Sequence, residues 1–259
     1  MKVCDFPAPD DSVTTEEITL ETAWIRIYTP PSATGDEPVA VFIHGGGWVM
    51  DSVDVEDPHW ILPFTSAQVP HGSRRLPASM KCTLEHFSPS SVVLVGGSAG
   101  TNFTFGLALK LIDAGLKDKV KGILALVPAT VHPNAMPEYK KTRYTEMQEN
   151  ADRTINSSAA MNSWLEAYDP PLNDVYFSSS ILYPRLGDVK KVYIVECGAD
   201  TLRDDARLME ALEDVKVPLM YNAYPGYPHY LWAYPASVLG KHREEFHTNM
   251  FGALLWLHE

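Results

Sequence analysis

Two glycine-rich segments stand where a chain can turn sharply and aim polar groups at one point. Gly96-Gly97-Ser98-Ala99-Gly100 follows the apolar run Val92 to Val95 and opens a helical pattern in which Phe103, Leu107 and Leu111 fall four apart. A serine on such a strand-to-helix turn holds its hydroxyl clear of the sheet. Small neighbours at Gly96 and Gly100 leave it room, and the helix behind it offers amide N–H groups and a positive dipole end. This is the setting of a serine nucleophile in acyl chemistry. The pentapeptide by itself recurs by chance, so its place between strand and helix carries the weight. The second segment, His44-Gly45-Gly46-Gly47-Trp48, follows the apolar run Val39 to Ile43. Consecutive glycines free the backbone to converge its amides. Those of Gly46 and Gly47, with that of Ala99, form a candidate oxyanion hole. His44 is read as a brace for the loop rather than a proton carrier.

A serine nucleophile needs a base, and the base needs an acid to orient it. Lys191 to Cys197 reads as a strand, and Asp200 lies in the turn beyond its carboxyl end, where α/β folds gather functional groups. Asp204 and Asp205 are alternatives, but they stand where they cap the next helix and its dipole, so Asp200 is preferred. Of nine histidines, His229 lies in a loop just past a strand and downstream of Asp200. His242, His247 and His258 lie on a helical pattern, and His59, His71, His86 and His132 fall outside such a position. The expected catalytic set is Ser98, Asp200 and His229.

These residues need a scaffold. Glu17 to Leu20, Trp24 to Tyr28, Val39 to Ile43, Val92 to Val95, Ile123 to Val127, Val192 to Val195 and Leu219 to Tyr224 are predicted strands. Several are continuous apolar runs, as expected of strands covered on both faces in a doubly wound, mostly parallel α/β sheet. Phe246, Met250 and Leu254 mark a second helix packed on that sheet. From about 129 to 186 the pattern breaks into a polar stretch with scattered aromatics (Tyr139, Tyr144, Trp164, Tyr168), which reads as a cap-like insertion because uninterrupted loops of this length are rare. The whole, residues 1–259, is expected to be one domain.

Composition narrows the partners. Lys+Arg 21 against Asp+Glu 33 gives a net charge of -12, with no basic run, so nucleic acid is not an expected partner. Cys4, Cys82 and Cys197 are too few and too scattered for a disulfide framework, and beyond an isolated Cys82/His86 pair they show no metal spacing. Neither a membrane span nor a signal-peptide pattern is visible, so a soluble cytoplasmic protein is expected. The sequons at Asn102 and Asn156 are read as unused.

The HGGGW, GGSAG, CGADTLRDD and PGYPHY segments together resemble the hormone-sensitive-lipase-like esterases of the α/β-hydrolase fold, most closely the fungal branch of versiconal hemiacetal acetate esterases. The likeness runs from about Val13 to the end. It implies that Ser98 attacks an ester carbonyl, His229 shuttles the proton, Asp200 orients His229, and Gly46, Gly47 and Ala99 bind the oxyanion. It implies a small-molecule ester of small or medium acyl size, a setting in secondary metabolism, and no cofactor or metal. Members also carry more chain before the first strands, and a central strand between the oxyanion loop and the serine turn. Here Val49 to Ser91 contains Pro63, Pro70, Gly72, Arg74, Arg75 and Pro77 and no readable apolar strand. The expectation is a sheet lacking that strand, re-paired or irregular there, and a weakly stable, poorly active protein. A degenerate ligand-binding relative and an acyltransferase using the same residues stay open, as does the oligomeric state.

Overall fold

The computed structural model describes residues 12–20, 24–33, 39–50, 66–69, 76–87, 89, 91–153, 155–178, 180–234 and 236–259. The strands are β1 (Thr14–Thr19), β2 (Trp24–Thr29), β3 (Val39–Ile43), β4 (Ser66–Val69), β5 (Val92–Gly97), β6 (Val120–Leu126), β7 (Val192–Cys197) and β8 (Leu219–Tyr224). They form an 8-stranded sheet in the order β1-β2-β4-β3-β5-β6-β7-β8. β1 and β2 pair antiparallel, β2 meets β4 antiparallel, and every pairing from β4 to β8 is parallel.

The apolar runs are buried on both faces because alternate residues belong to different cores. Val41, Ile43, Leu94, Ile123 and Ile194 point to one face, where helix α1 (Leu76–Phe87) contributes Met80 and helix α2 (Ala99–Asp113) contributes Phe103, Phe105, Leu107 and Leu109. Phe42, Val93, Val95, Leu124, Leu126 and Val195 point to the other. There Phe246, Met250 and Leu254 of the C-terminal helix (Lys241–His258) cover them. Both expected helices therefore form, one on each face.

The expected gap in the sheet is not there. Ser66–Val69 forms β4 between β2 and β3, with Ala67 opposite both Ile27 and Val41. The strand is four residues of mixed polarity, too short and too polar to carry an apolar signature of its own. Its neighbours select it, because β2 and β3 each present a row of backbone groups that must find partners. The premise for a weak, poorly active protein therefore falls away. Of the segment Val49 to Ser91, residues 51–65, 70–75, 88 and 90 lie outside the described residues, as do Cys4, His59 and His71.

Between β6 and β7 the chain makes short helical turns at Pro133–Ala135, Glu138–Lys141 and Glu146–Glu149, then helix α3 (Ser158–Tyr168), then turns at Ser180–Leu182 and Leu186–Asp188. The loop after β7 leads to the short helix α4 (Arg203–Leu208), and the C-terminal helix Lys241–His258 is α5. Asp204 and Asp205 lie in the first turn of α4, but their carboxylates cap other chain. Asp205 Oδ1 accepts from Thr130 N at 2.6 Å and Val131 N at 3.0 Å, and its Oδ2 accepts from Tyr144 Oη at 2.7 Å. Asp204 Oδ2 accepts from Thr145 N at 2.8 Å and Glu146 N at 3.2 Å. Both acids lie in the first turn of α4, as expected, but neither caps its amides: they fasten the segment between β6 and β7 to α4, and Asp204 also pairs with Arg203 and Arg207 of that helix. No helix among the described residues is long and apolar enough to cross a membrane.

Removing Asp205 orphans two buried amides and a tyrosine hydroxyl together. Asp205→Ala is expected to lower unfolding free energy by about 3 kcal/mol or more, at the cost of about 1–3 kcal/mol per orphaned group, measured by urea denaturation.

Candidate active site

The turn at Ser98 is strained. Its φ of 53° and ψ of -126° are unusual for a residue with a side chain, between the last residue of β5 and the first of α2. Ser98 N donates to Leu126 O at 2.9 Å, and Thr101 Oγ1 donates to Gly96 O at 2.7 Å, so the bend is tied on both sides. The glycines are dictated by space: a Cβ at Gly100 would overlap the Ile43 carbonyl oxygen and stand 2.5 Å from that of His44, and one at Gly96 would stand 2.7 Å from the Gly100 carbonyl carbon. The serine turn and the glycine loop after β3 are thereby packed backbone on backbone.

In that loop Gly46 has φ 102° and Gly47 φ 57°, the left-handed region that glycine tolerates. A Cβ at Gly47 would stand 2.5 Å from Trp164 Cδ2, so the α3 indole rests directly on the loop. Trp48, itself at φ 65°, stacks on Tyr168 of the same helix with centroids 5.5 Å apart. Its Nε1 donates to Asn102 Oδ1 at 3.2 Å, while Asn102 Nδ2 donates to Phe177 O at 2.7 Å. His44 is buried and its Nδ1 lies 2.9 Å from Gly45 O. A carbonyl only accepts, so Nδ1 carries a proton in this contact.

Asp200 and His229 meet. His229 Nδ1 donates to Asp200 Oδ2 at 2.6 Å, and both side chains are almost wholly buried. A carboxylate accepts, so Nδ1 carries a proton in this bond and Nε2 is the ring nitrogen turned away from Asp200. Two backbone bonds, Gly198 N to Tyr224 O at 3.0 Å and Ala199 N to Tyr227 O at 2.9 Å, bind the acid's loop to the histidine's loop. Asp200 Oδ1 accepts from Leu202 N at 3.0 Å and Asn156 Nδ2 at 2.8 Å, and its main-chain oxygen accepts from Asn150 Nδ2 at 2.8 Å. Tyr230, edge-on to His229 with centroids 4.6 Å apart, joins the parts. A Cβ at Gly45 would overlap its hydroxyl, and one at Gly97 would stand 3.3 Å from it.

Ser98, Ala99, Gly46, Gly47, Asp200 and His229 thus all lie beyond the carboxyl ends of the parallel strands β3, β5, β7 and β8, where such sheets place their ligands. Asn150, Asn156 and Tyr230 were not anticipated. Asn156 registers in the sequence only as the head of an Asn-Ser-Ser triplet, and nothing local marks it as a partner of Asp200. The Nδ2 atoms of both sequon asparagines are committed to buried hydrogen bonds. Cys82 and Cys197 are free thiols, and burial pushes the Cys197 thiol well up. Among the described residues no group of three or more His, Cys, Asp or Glu is arranged to hold a metal.

Beside this site lies an acidic cluster. Burial opposes ionisation of Asp204, but hydrogen bonds from Arg203, Glu146 and Thr145 outweigh it and hold its carboxyl well below the usual range. Burial pushes Asp205 up to about 6 against its backbone donors. Glu146 is pushed up to about 10 by burial and by the neighbouring carboxylates of Asp204 and Asp205.

Comparison with known proteins agrees with this architecture. Residues 67–233 match a family described by the alpha/beta hydrolase fold. The versiconal hemiacetal acetate esterase of Aspergillus parasiticus is 45% identical over 97% of this chain and 85% of its own length. A protein of Aspergillus terreus named FAD-linked oxidoreductase pytB is 55% identical over 97% of this chain, which spans only 33% of that longer protein. The crystal structure of vibralactone cyclase superposes with a TM-score of 0.85 at 23% identity, covering 97% of this chain and 82% of that one, a likeness of fold. The chain belongs to the alpha/beta hydrolase fold family. Its relatives include esterases that match it over nearly its whole length, consistent with carboxylic-ester hydrolysis.

Folded Glu146 stays neutral until about pH 10, whereas the unfolded chain ionises it near its ordinary 4.5. Stability is therefore lost as pH rises between those values. Glu146→Gln keeps the size and removes the ionisable group, so its melting temperature is expected to exceed that of the wild type at pH 8 and to converge with it near pH 4.

Proposed function

We propose that this chain is a serine esterase that cleaves carboxylic esters of small or medium acyl groups through an acyl-enzyme on Ser98. The observation that carries the reading is the buried Asp200–His229 hydrogen bond, which leaves His229 Nε2 as the only ring nitrogen able to take a proton. In this reading His229 removes the Ser98 hydroxyl proton as the oxygen attacks the ester carbonyl, then returns it to the leaving alcohol. Asp200 holds the ring and stabilises the imidazolium. The amides of Gly46, Gly47 and Ala99 receive the oxyanion, supported by the glycine geometry and by the start of α2 beside Ser98. Water then attacks the acyl-enzyme with His229 again the base. The segment from about 129 to 186 acts as the cap of a single domain. Trp164 and Tyr168, seated on Gly47 and Trp48, crowd the space over the oxyanion loop, which supports short acyl groups. No cofactor takes part in these steps.

Turnover of short p-nitrophenyl esters and labelling by a fluorophosphonate probe test this directly. Ser98→Ala is expected to abolish labelling and cut kcat by at least about ten-thousandfold with folding intact, and His229→Ala by nearly as much. Asp200→Asn should cost less, and Asp204→Asn should lower stability while turnover stays close to wild type. Turnover should fall on acidification, as the imidazole takes up a proton and ceases to be a base. Persistent labelling in the Ser98 variant, or a rate flat from acid to neutral pH, counts against the reading.

A further inference from the structure

Asn156 is 1% exposed and comes from the segment between β6 and β7, far in sequence from Asp200. Its Nδ2 donates both of its hydrogens, to Asp200 Oδ1 at 2.8 Å and to Thr201 Oγ1 at 2.7 Å. The Thr201 hydroxyl gives its hydrogen back to the Asn156 main-chain oxygen at 2.7 Å, which leaves Oγ1 as the acceptor of the Nδ2 bond. The ring of contacts settles the amide's orientation, since the flipped form would face Oδ1 against a carboxylate.

Asp200 therefore has two fixed donors on Oδ1, Asn156 Nδ2 and Leu202 N, and His229 on Oδ2. Two donors on one oxygen set the plane of the carboxylate, and the other oxygen is then aimed at the imidazole. We propose that Asn156 is a positioning residue that acts through Asp200: it holds the buried carboxylate in the one orientation that presents Oδ2 to His229. The inference rests on the triad reading given above. It makes the inserted segment part of the catalytic apparatus, through a hydrogen bond to the acid, as well as a cover over the oxyanion loop. Without Asn156 the carboxylate keeps one fixed donor on Oδ1 and can rotate, so the imidazole loses its rigid support.

The test compares Asn156→Leu, Asn156→Asp and Thr201→Val with the wild type by kcat, KM, the pH profile of kcat/KM and thermal melting. Asn156→Leu, similar in size and lacking both donors, is expected to lower kcat about tenfold with KM within about twofold, less than loss of a triad member costs. Asn156→Asp adds a carboxylate beside Asp200, favouring the imidazolium, and should move the acidic limb up by about one pH unit. Thr201→Val keeps the bond to Asp200 and should leave that limb in place, even where it melts earlier. A limb unmoved in Asn156→Asp, a loss confined to KM or melting, or an equal limb shift in Thr201→Val would overturn the proposal. Should Asn156→Leu not fold, the limb in Asn156→Asp decides alone. A wild-type chain with neither turnover nor Ser98-dependent labelling overturns the triad reading and this inference with it, whereas an active wild type with indifferent Asn156 variants overturns only the inference.

Discussion

The rest of the site depends on one bend, the left-handed φ of Ser98 between β5 and α2. Such a conformation costs a residue with a side chain about 1–3 kcal/mol and persists only where its surroundings over-determine it. Here they do. The amide is tied to β6 through Leu126, Thr101 returns a hydrogen bond to Gly96, and Gly100 lies so close to the carbonyls after β3 that no side chain fits. The close approach that secures the bend also brings the glycine loop after β3 against the serine. One packing constraint therefore sets two parts of the site, with Tyr230 wedged against Gly45 and Gly97 and carrying His229 beside it.

The second organising force is electrostatic. Asp200, Asp204, Asp205 and Glu146 are all buried along one side of the molecule, which low dielectric makes costly unless each is satisfied. The structure resolves this in different ways. Asp204 is ionised against Arg203 and backbone amides, Asp205 is surrounded by donors, Asp200 receives bonds on both oxygens, and Glu146 remains protonated. Asp200, Asp204 and Asp205 bind amides of the segment between β6 and β7, so the cost of burying them is met by the groups that hold that segment down. The segment in turn rests Trp164 and Tyr168 on the glycine loop after β3.

The seven strands expected from the sequence all form, with ends shifted by a few residues, and so do the two helices marked by Phe103, Leu107, Leu111 and by Phe246, Met250, Leu254. The central strands were legible because burial on both faces leaves long apolar runs, and the helices because burial on one face leaves a four-residue spacing. Ser98, the glycine loop, Asp200 and His229 were legible for a different reason: each follows a recognisable strand, and a parallel sheet delivers all such loops to one edge. β4 was not legible, because four residues held by hydrogen bonds from both sides need no apolar signature of their own.

The chain alone therefore determined which residues lie at strand ends and which faces are apolar, since these are local properties of pattern and spacing. Tertiary structure decided what lies across from them. Asp205 reaches Thr130 and Asn156 reaches Asp200 over separations of 75 and 44 residues. A polar side chain's partner at such distances is chosen by how layers pack, and no periodicity in the intervening sequence records it.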